Sequence, residues 1–177
     1  MIKRIDHIDG IPASLKGTPV EELILYQNFA APHREYATAQ MLVGMCMDNR
    51  KQLKIPENFA YIIRTGGANL RYSEFKVSYA IAVGGVNHIA LIAHDRCGMV
   101  NLAGKMRPFI EGLSRLENWT AERARDHFLN YAPIYEIEDE TEFVLTESRR
   151  LAEKYKGVTV VPLYYTLDDN RLSLIEE

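Results

Sequence analysis

Two cysteines, one histidine and one aspartate are spaced in the sequence as a metal site would require. Cys46 and Asp48 follow one short apolar run, and His94 and Cys97 follow another. A histidine and a cysteine three residues apart at the end of a strand can both reach one ion, and Cys46 completes a Cys2His set. Thiolate and imidazole ligands favour zinc. The sequence therefore predicts zinc held by Cys46, His94 and Cys97, with Asp48 as a fourth ligand or as a hydrogen-bond partner of a metal-bound water.

Arg50 lies two residues after Asp48, so both side chains point the same way if the strand continues. A guanidinium can hold a carboxylate in a bidentate fork. We therefore expect Arg50 to keep Asp48 ionised and away from the metal. A surface arginine in a basic turn with Lys51 is the alternative.

A third apolar run ends in Arg64-Thr65-Gly66-Gly67. Glycine lets the backbone approach a ligand closely, so Gly66 and Gly67 are predicted to line a pocket for a very small substrate. A simple turn is the alternative. The segment does not fit a dinucleotide-binding motif, because its glycine spacing differs and no acidic residue follows at the expected distance.

The elements that position these residues alternate between strands and helices. The predicted strands are 41–47, 59–63, 88–93, 158–165 and 172–175. Helices are predicted to begin at Thr18, to span 73–84, and to run from Asp139 to Gly157. This alternation indicates an α/β fold with a mostly parallel central sheet flanked by helices, closed by an antiparallel C-terminal edge strand. Reactive groups collect beyond the carboxyl ends of such strands.

Composition limits the class of protein. A chain of 177 residues with 47% hydrophobic and 25% charged residues is expected to form one domain (1–177), with a helical arm (1–40) and an α/β core (41–177). The net charge of −3 argues against nucleic acid as a main partner. No apolar run is long enough to span a membrane, and the first residues lack a signal-peptide core. Two cysteines without a signal favour a reducing compartment, so we expect a cytoplasmic protein.

Three motifs resemble those of the β-class carbonic anhydrases. They occur in the family's order, as Cys46-x-Asp48-x-Arg50, Arg64-Thr65-Gly66-Gly67 and His94-x-x-Cys97-Gly98. The resemblance implies that family's fold, zinc ligation by the two cysteines and the histidine, and a switching dyad formed by Asp48 and Arg50.

The same resemblance implies an activity and an assembly. The expected reaction is reversible hydration of carbon dioxide to bicarbonate and a proton by zinc-bound hydroxide. The expected assembly is a homodimer or a higher even homo-oligomer whose N-terminal helices embrace a partner subunit. Asn49 stands where serine is usual, and Thr65-Gly66 where asparagine-alanine is usual, so the pocket wall is altered. Val43 replaces the tryptophan of a bicarbonate regulatory site found in a subset of the family, so that regulation is not expected.

Three alternatives stay open at this point. The same metal site could hydrolyse carbon disulfide or carbonyl sulfide. A non-catalytic zinc protein would keep Asp48 bound permanently as the fourth ligand. A thiol redox pair is disfavoured because 51 residues separate the cysteines and no Cys-x-x-Cys occurs. Surface or capping positions are expected for the other histidines, and packing for Trp119; those histidines are His7, His33, His88 and His127.

Overall fold

One six-stranded sheet organises the computed structural model, which describes residues 1–176; Glu177, the last residue of the predicted domain, lies outside the described residues. The strands are β1 (Ile2–Arg4), β2 (Met41–Cys46), β3 (Ala60–Thr65), β4 (His88–His94), β5 (Thr159–Thr166) and β6 (Arg171–Ile175). The helices are α1 (Pro19–Phe29), α2 (Glu74–Ala82), α3 (Met106–Glu117), α4 (Ala121–Tyr135) and α5 (Glu140–Lys154). Short 3-10 turns occupy Ile8–Gly10, Ala13–Leu15, Gly66–Ala68, Arg71–Ser73 and Leu102–Lys105.

The strand order is β1-β6-β5-β4-β2-β3. The four strands β3, β2, β4 and β5 run parallel, and β6 returns antiparallel to β5. This arrangement confirms the predicted fold class. The antiparallel C-terminal strand lies one position in from the edge, because β1 pairs antiparallel with β6 and forms the outermost strand. The segment 1–40, predicted as a helical arm, thus also supplies a strand to the sheet.

Local signals explain where two predicted helices begin. The Thr18 side chain accepts the Glu21 backbone N–H and caps α1. Asp139 caps α5 by accepting the backbone N–H groups of Thr141 and Glu142. Hydrogen bonds from the Thr141 side chain and from these N–H groups lower the pKa of Asp139. Both predicted starts are confirmed.

Apolar side chains cover both faces of the sheet. On β2, Val43 packs into the core cluster that contains Leu23 of α1, whereas the next-door Leu42 packs into the cluster that contains Val77 of α2 and Val144 of α5. Every residue of β2 is buried. Burial on both faces explains why this strand reads as a continuous apolar run rather than as an alternating one.

The register brings the chemically reactive strand ends together. Cys46, the last residue of β2, pairs with Thr65 at the end of β3. Met45 pairs with Ile92 of β4, and His94 ends that strand two residues later. The carboxyl ends of three neighbouring parallel strands therefore meet at one edge of the sheet.

Helices α3 and α4 pack mainly against each other rather than against the sheet. Within Met106–Glu117, all of it described, no residue of α3 is buried. No helix within residues 1–176 combines the length and apolar character needed to cross a membrane.

Candidate metal centre

The structure brings Cys46, His94 and Cys97 together at this sheet edge. One ligand atom from each residue lies within 4.8 Å of the others, and all three residues are buried. The two Sγ atoms are 3.9 Å apart. Two sulfurs bound at about 2.3 Å in a tetrahedral site would lie about 3.8 Å apart, so the observed spacing suits one shared metal ion.

The state of His94 also fits a metal ligand. Its Nδ1 lies 2.9 Å from the carbonyl oxygen of Asp95 and can donate to it, which orients the ring. Its Nε2 is buried and has no hydrogen-bond partner among residues 1–176. A buried polar atom without a partner is costly, and a metal ion would satisfy it. The donor set of two sulfurs and one nitrogen can therefore hold a metal.

Hydrogen bonds in the site favour a thiolate on Cys46. The Cys97 thiol donates to Cys46 and lowers the pKa of Cys46 well below its usual range, with the backbone N–H groups of Asp48 and Gly67 acting in the same direction against burial. The hydrogen bond that the Cys97 thiol donates to Cys46, together with burial, raises the pKa of Cys97. Metals bind thiolates, so this environment prepares one ligand before the ion arrives.

The Asp48 carboxylate forms an ion pair with Arg50 and is not part of the group of three ligands. Arg50 Nε lies 3.0 Å from Oδ1 and 3.1 Å from Oδ2, the backbone N–H of Arg50 donates to Oδ1 at 3.0 Å, and Nη2 donates to Oδ2. Nη2 also donates to the Arg96 carbonyl at 3.0 Å. The Arg50 guanidinium holds the pKa of Asp48 well below its usual range. The carboxylate is thus ionised and held by Arg50, and it is not one of the three grouped ligands.

Gly66 and Gly67 are buried beside the centre rather than on an open wall. A Cβ on Gly66 would lie 2.9 Å from Met99 Sδ and 3.1 Å from Tyr135 Cδ1. Gly67 has a φ of 60° and a Cβ there would lie 3.2 Å from Ile137 Cδ1. The two glycines therefore allow these side chains to approach the backbone closely, and Met99 and Ile137 also pack with Cys46 and Cys97. Their predicted contact with a substrate stays a prediction.

Two residues support the centre through contacts that the sequence analysis did not predict. Arg64 donates to the carbonyl oxygens of Cys46 and Asp48 at 3.3 Å and to that of Lys51 at 3.1 Å, and so holds the segment after β2 in place. Glu140 Oε1 accepts the Cys97 backbone N–H at 3.1 Å. Arg64 lies inside a quoted motif and Glu140 is the first residue of α5, but neither contact has a local sequence signal.

Three other histidines and Trp119 lie outside the metal-binding group. His33 and His127 are exposed, as expected of surface histidines. Trp119 packs edge-on against His127, as expected of a packing residue. His88 hydrogen-bonds to Asn87 at the start of β4, at the opposite end of that strand from His94.

Glu140 offers a test of how the Cys97 ligand is positioned. Glu140→Ala is expected to lower zinc affinity about tenfold, because the Cys97 N–H loses its acceptor and the loop loosens. Glu140→Gln keeps an acceptor oxygen and is expected to stay within about threefold of the wild type. Competition with a metal-binding dye measures both affinities. Glu142→Ala, which removes an exposed carboxylate from the same helical turn, is the control. Equal affinities for Glu140→Ala and Glu142→Ala would contradict the positioning role.

No protein-family sequence model matches the chain, and no curated protein matches it by sequence. Solved structures do match it. A carbonic anhydrase from Glaciozyma antarctica is 15% identical with a TM-score of 0.63, covering 94% of this chain and 100% of that one. The β-carbonic anhydrase isoform I of Trichomonas vaginalis is 16% identical with a TM-score of 0.60, covering 85% and 91%. A carbon disulfide hydrolase is 19% identical with a TM-score of 0.58, covering 89% and 87%.

These matches show that the chain has the β-carbonic anhydrase fold. They confirm, at the level of the fold, the resemblance that the three motifs carry. On this fold the chain places a Cys-His-Cys group that can bind a metal ion.

Proposed function

We propose that the protein is a zinc enzyme that hydrates carbon dioxide reversibly to bicarbonate and a proton. The observation that carries this proposal is the buried Cys46, His94 and Cys97 group with its unpartnered Nε2, on a β-carbonic anhydrase fold. The paired Asp48 and Arg50 beside it supply the second part of the proposal.

Each of these residues has a separate task. Cys46, His94 and Cys97 would hold the zinc, which, when bound, makes a water molecule acidic enough to act as a nucleophile near neutral pH. Asp48, kept ionised by Arg50, can accept a hydrogen bond from the attacking water and orient it towards the substrate carbon. Arg50 positions that carboxylate and keeps it from binding the metal itself.

A second candidate activity has an observation in its favour. This second activity is hydrolysis of carbon disulfide or carbonyl sulfide at the same site. It is supported by the carbon disulfide hydrolase that shares the fold at a TM-score of 0.58. A non-catalytic zinc site is less consistent with the contacts, because a permanently bound Asp48 would not need the Arg50 fork. Parallel assays of the zinc-loaded protein distinguish the three. We expect proton release from carbon dioxide to exceed hydrogen sulfide release from the two sulfur compounds. The reverse order would favour the second activity, and neither release would favour the non-catalytic site.

We also propose a cytoplasmic homodimer or higher even homo-oligomer. Both cysteines are free thiols, as ligands in a reducing compartment would be. Helix α1 packs into the core of its own chain. Large apolar side chains are exposed on the α3–α4 pair, namely Phe109, Leu116, Leu129 and Tyr131. Such a surface suits contact with another subunit.

The assembly is tested by light scattering coupled to size-exclusion chromatography on zinc-loaded protein. We expect a mass of at least twice the chain's 20.2 kDa at micromolar concentration. Leu116→Asp, which places a charge on a side chain that is 70% exposed, is expected to lower that mass if this face is the contact. A monomer in the wild type would refute the assembly.

A further inference from the structure

Lys51 is a fully buried lysine that the proposed reaction does not use. None of its surface is exposed, and its Nζ has no hydrogen-bond partner among residues 1–176. Lysine is almost never fully buried unless it is paired. The buried ammonium of Lys51 therefore needs a counter-charge. No group among residues 1–176 supplies one through a direct hydrogen bond to Nζ.

The backbone of Lys51 is fixed beside the metal centre. The Arg64 guanidinium donates to the carbonyl oxygens of Cys46, Asp48 and Lys51, so one side chain ties these three residues together. The buried charge of Lys51 thus belongs to the same rigid segment as one metal ligand and the proposed orienting carboxylate.

Lys51 is electrostatically coupled to the residues of the centre. Burial lowers the pKa of Lys51, whereas the negative charges of Cys46 and Asp48 act in the opposite direction and favour the ammonium form, as Cys97 would once it is a thiolate on a metal. Arg64 is the repelling neighbour. Because Lys51 is buried, its interactions are screened much less by salt than those of exposed pairs.

When the positive and negative groups around the metal-loaded centre are paired, the Lys51 ammonium has no counter-charge left in the described part of the chain. A zinc ion is balanced by two thiolates, and Asp48 is balanced by Arg50. Arg64 and Glu140 contribute one charge of each sign and bind backbone groups. Arg96, which is exposed, pairs with Asp95 and Asp168. The buried positive charge without a hydrogen-bonded partner among residues 1–176 is the Lys51 ammonium, and an uncompensated buried charge is costly. A small anion bound at the metal would lower that cost.

We propose that Lys51 raises the affinity of the metal-loaded centre for small monoanions, the chemical class to which bicarbonate belongs. The inference rests on the metal site of the proposed function. It assigns Lys51 an electrostatic role in holding an anionic product or inhibitor, in addition to the roles of Asp48 and Arg50.

The test uses protein loaded with Co²⁺, whose visible spectrum reports the fourth ligand, and two probes. Azide is a small monoanion, and imidazole is a neutral ligand. Lys51→Met is expected to weaken azide binding about tenfold, because the anion loses the attraction of one buried and weakly screened positive charge. Imidazole binding is expected to change by less than about twofold, because no Coulomb attraction is lost. Lys54→Met, which removes an exposed lysine of the same segment, is the control for net charge and is expected to bind azide as the wild type does.

Unchanged azide affinity in Lys51→Met would overturn the proposal. Equal losses for azide and imidazole would also overturn it, since they would mark a structural change rather than a lost charge. Should Lys51→Met fail to bind Co²⁺, Lys51→Gln removes the same charge with a polar side chain and is read against the same criteria. A protein that binds azide through Lys51 but does not hydrate carbon dioxide would keep this inference and refute the proposed function.

Discussion

Replacing Arg50 by alanine is expected to leave zinc bound and to lower carbon dioxide hydration about 10- to 100-fold. In the structure, the guanidinium of Arg50 contacts both oxygens of Asp48 and also the Arg96 carbonyl. Without it, the carboxylate keeps, among its contacts within residues 1–176, the backbone N–H of position 50 and is free to coordinate the metal, where it would block the open position. Stopped-flow hydration rates together with zinc content measure the effect.

Two variants show whether the fork itself matters. Arg50→Lys keeps the positive charge but loses the bidentate geometry, so we expect an intermediate rate. Arg107→Ala removes an exposed arginine that pairs with Glu111 on α3, and we expect it to be as active as the wild type. Near-full activity in Arg50→Ala would reduce Arg50 to a structural residue.

Replacing Cys46 by serine is expected to abolish zinc binding and activity together. The wild type should carry one zinc per chain, and Cys46→Ser only a small fraction of that, because a neutral hydroxyl replaces a thiolate that the site favours. Metal bound at about 1,000 times its Kd stabilises a fold by about 4 kcal/mol. For a domain of this size that difference corresponds to a melting temperature about 8 to 16 °C lower. Elemental analysis and calorimetry measure the two effects.

The histidines of β4 provide a matched comparison. His94→Ala should lose zinc as Cys46→Ser does, whereas His88→Ala, at the other end of the same strand, should keep it. Zinc retained by both Cys46→Ser and His94→Ala would show that the ion is bound elsewhere. A disulfide between Cys46 and Cys97 in the purified protein would refute zinc binding by these two thiolates.

Much of the fold could be predicted because its central strands are short and apolar and because Thr18 and Asp139 cap α1 and α5. The outer strand β1 could not, since its three exposed residues carry two basic side chains and pair through the backbone and through ion pairs such as Arg4 with Asp169. The bounds of α3 and α4 were also beyond the sequence analysis. Helix α3 buries no residue against the sheet, so tertiary packing does not determine its limits.

The three grouped ligands could be predicted because parallel topology brings Cys46 and His94 to the same edge and because His94 and Cys97 are close in sequence. The supporting contacts could not. Glu140 contacts Cys97 from 43 residues away in the sequence. The burial of Lys51 depends on long-range packing, which cannot be predicted from a lysine in a polar segment.

The central claim is tested most directly by stopped-flow carbon dioxide hydration on zinc-replete protein across pH, with chelator-treated protein as the blank. The account predicts hydration far above that blank, restored when zinc is returned to the chelated protein. A protein that carries one zinc per chain yet hydrates carbon dioxide no faster than the blank at any pH would contradict it.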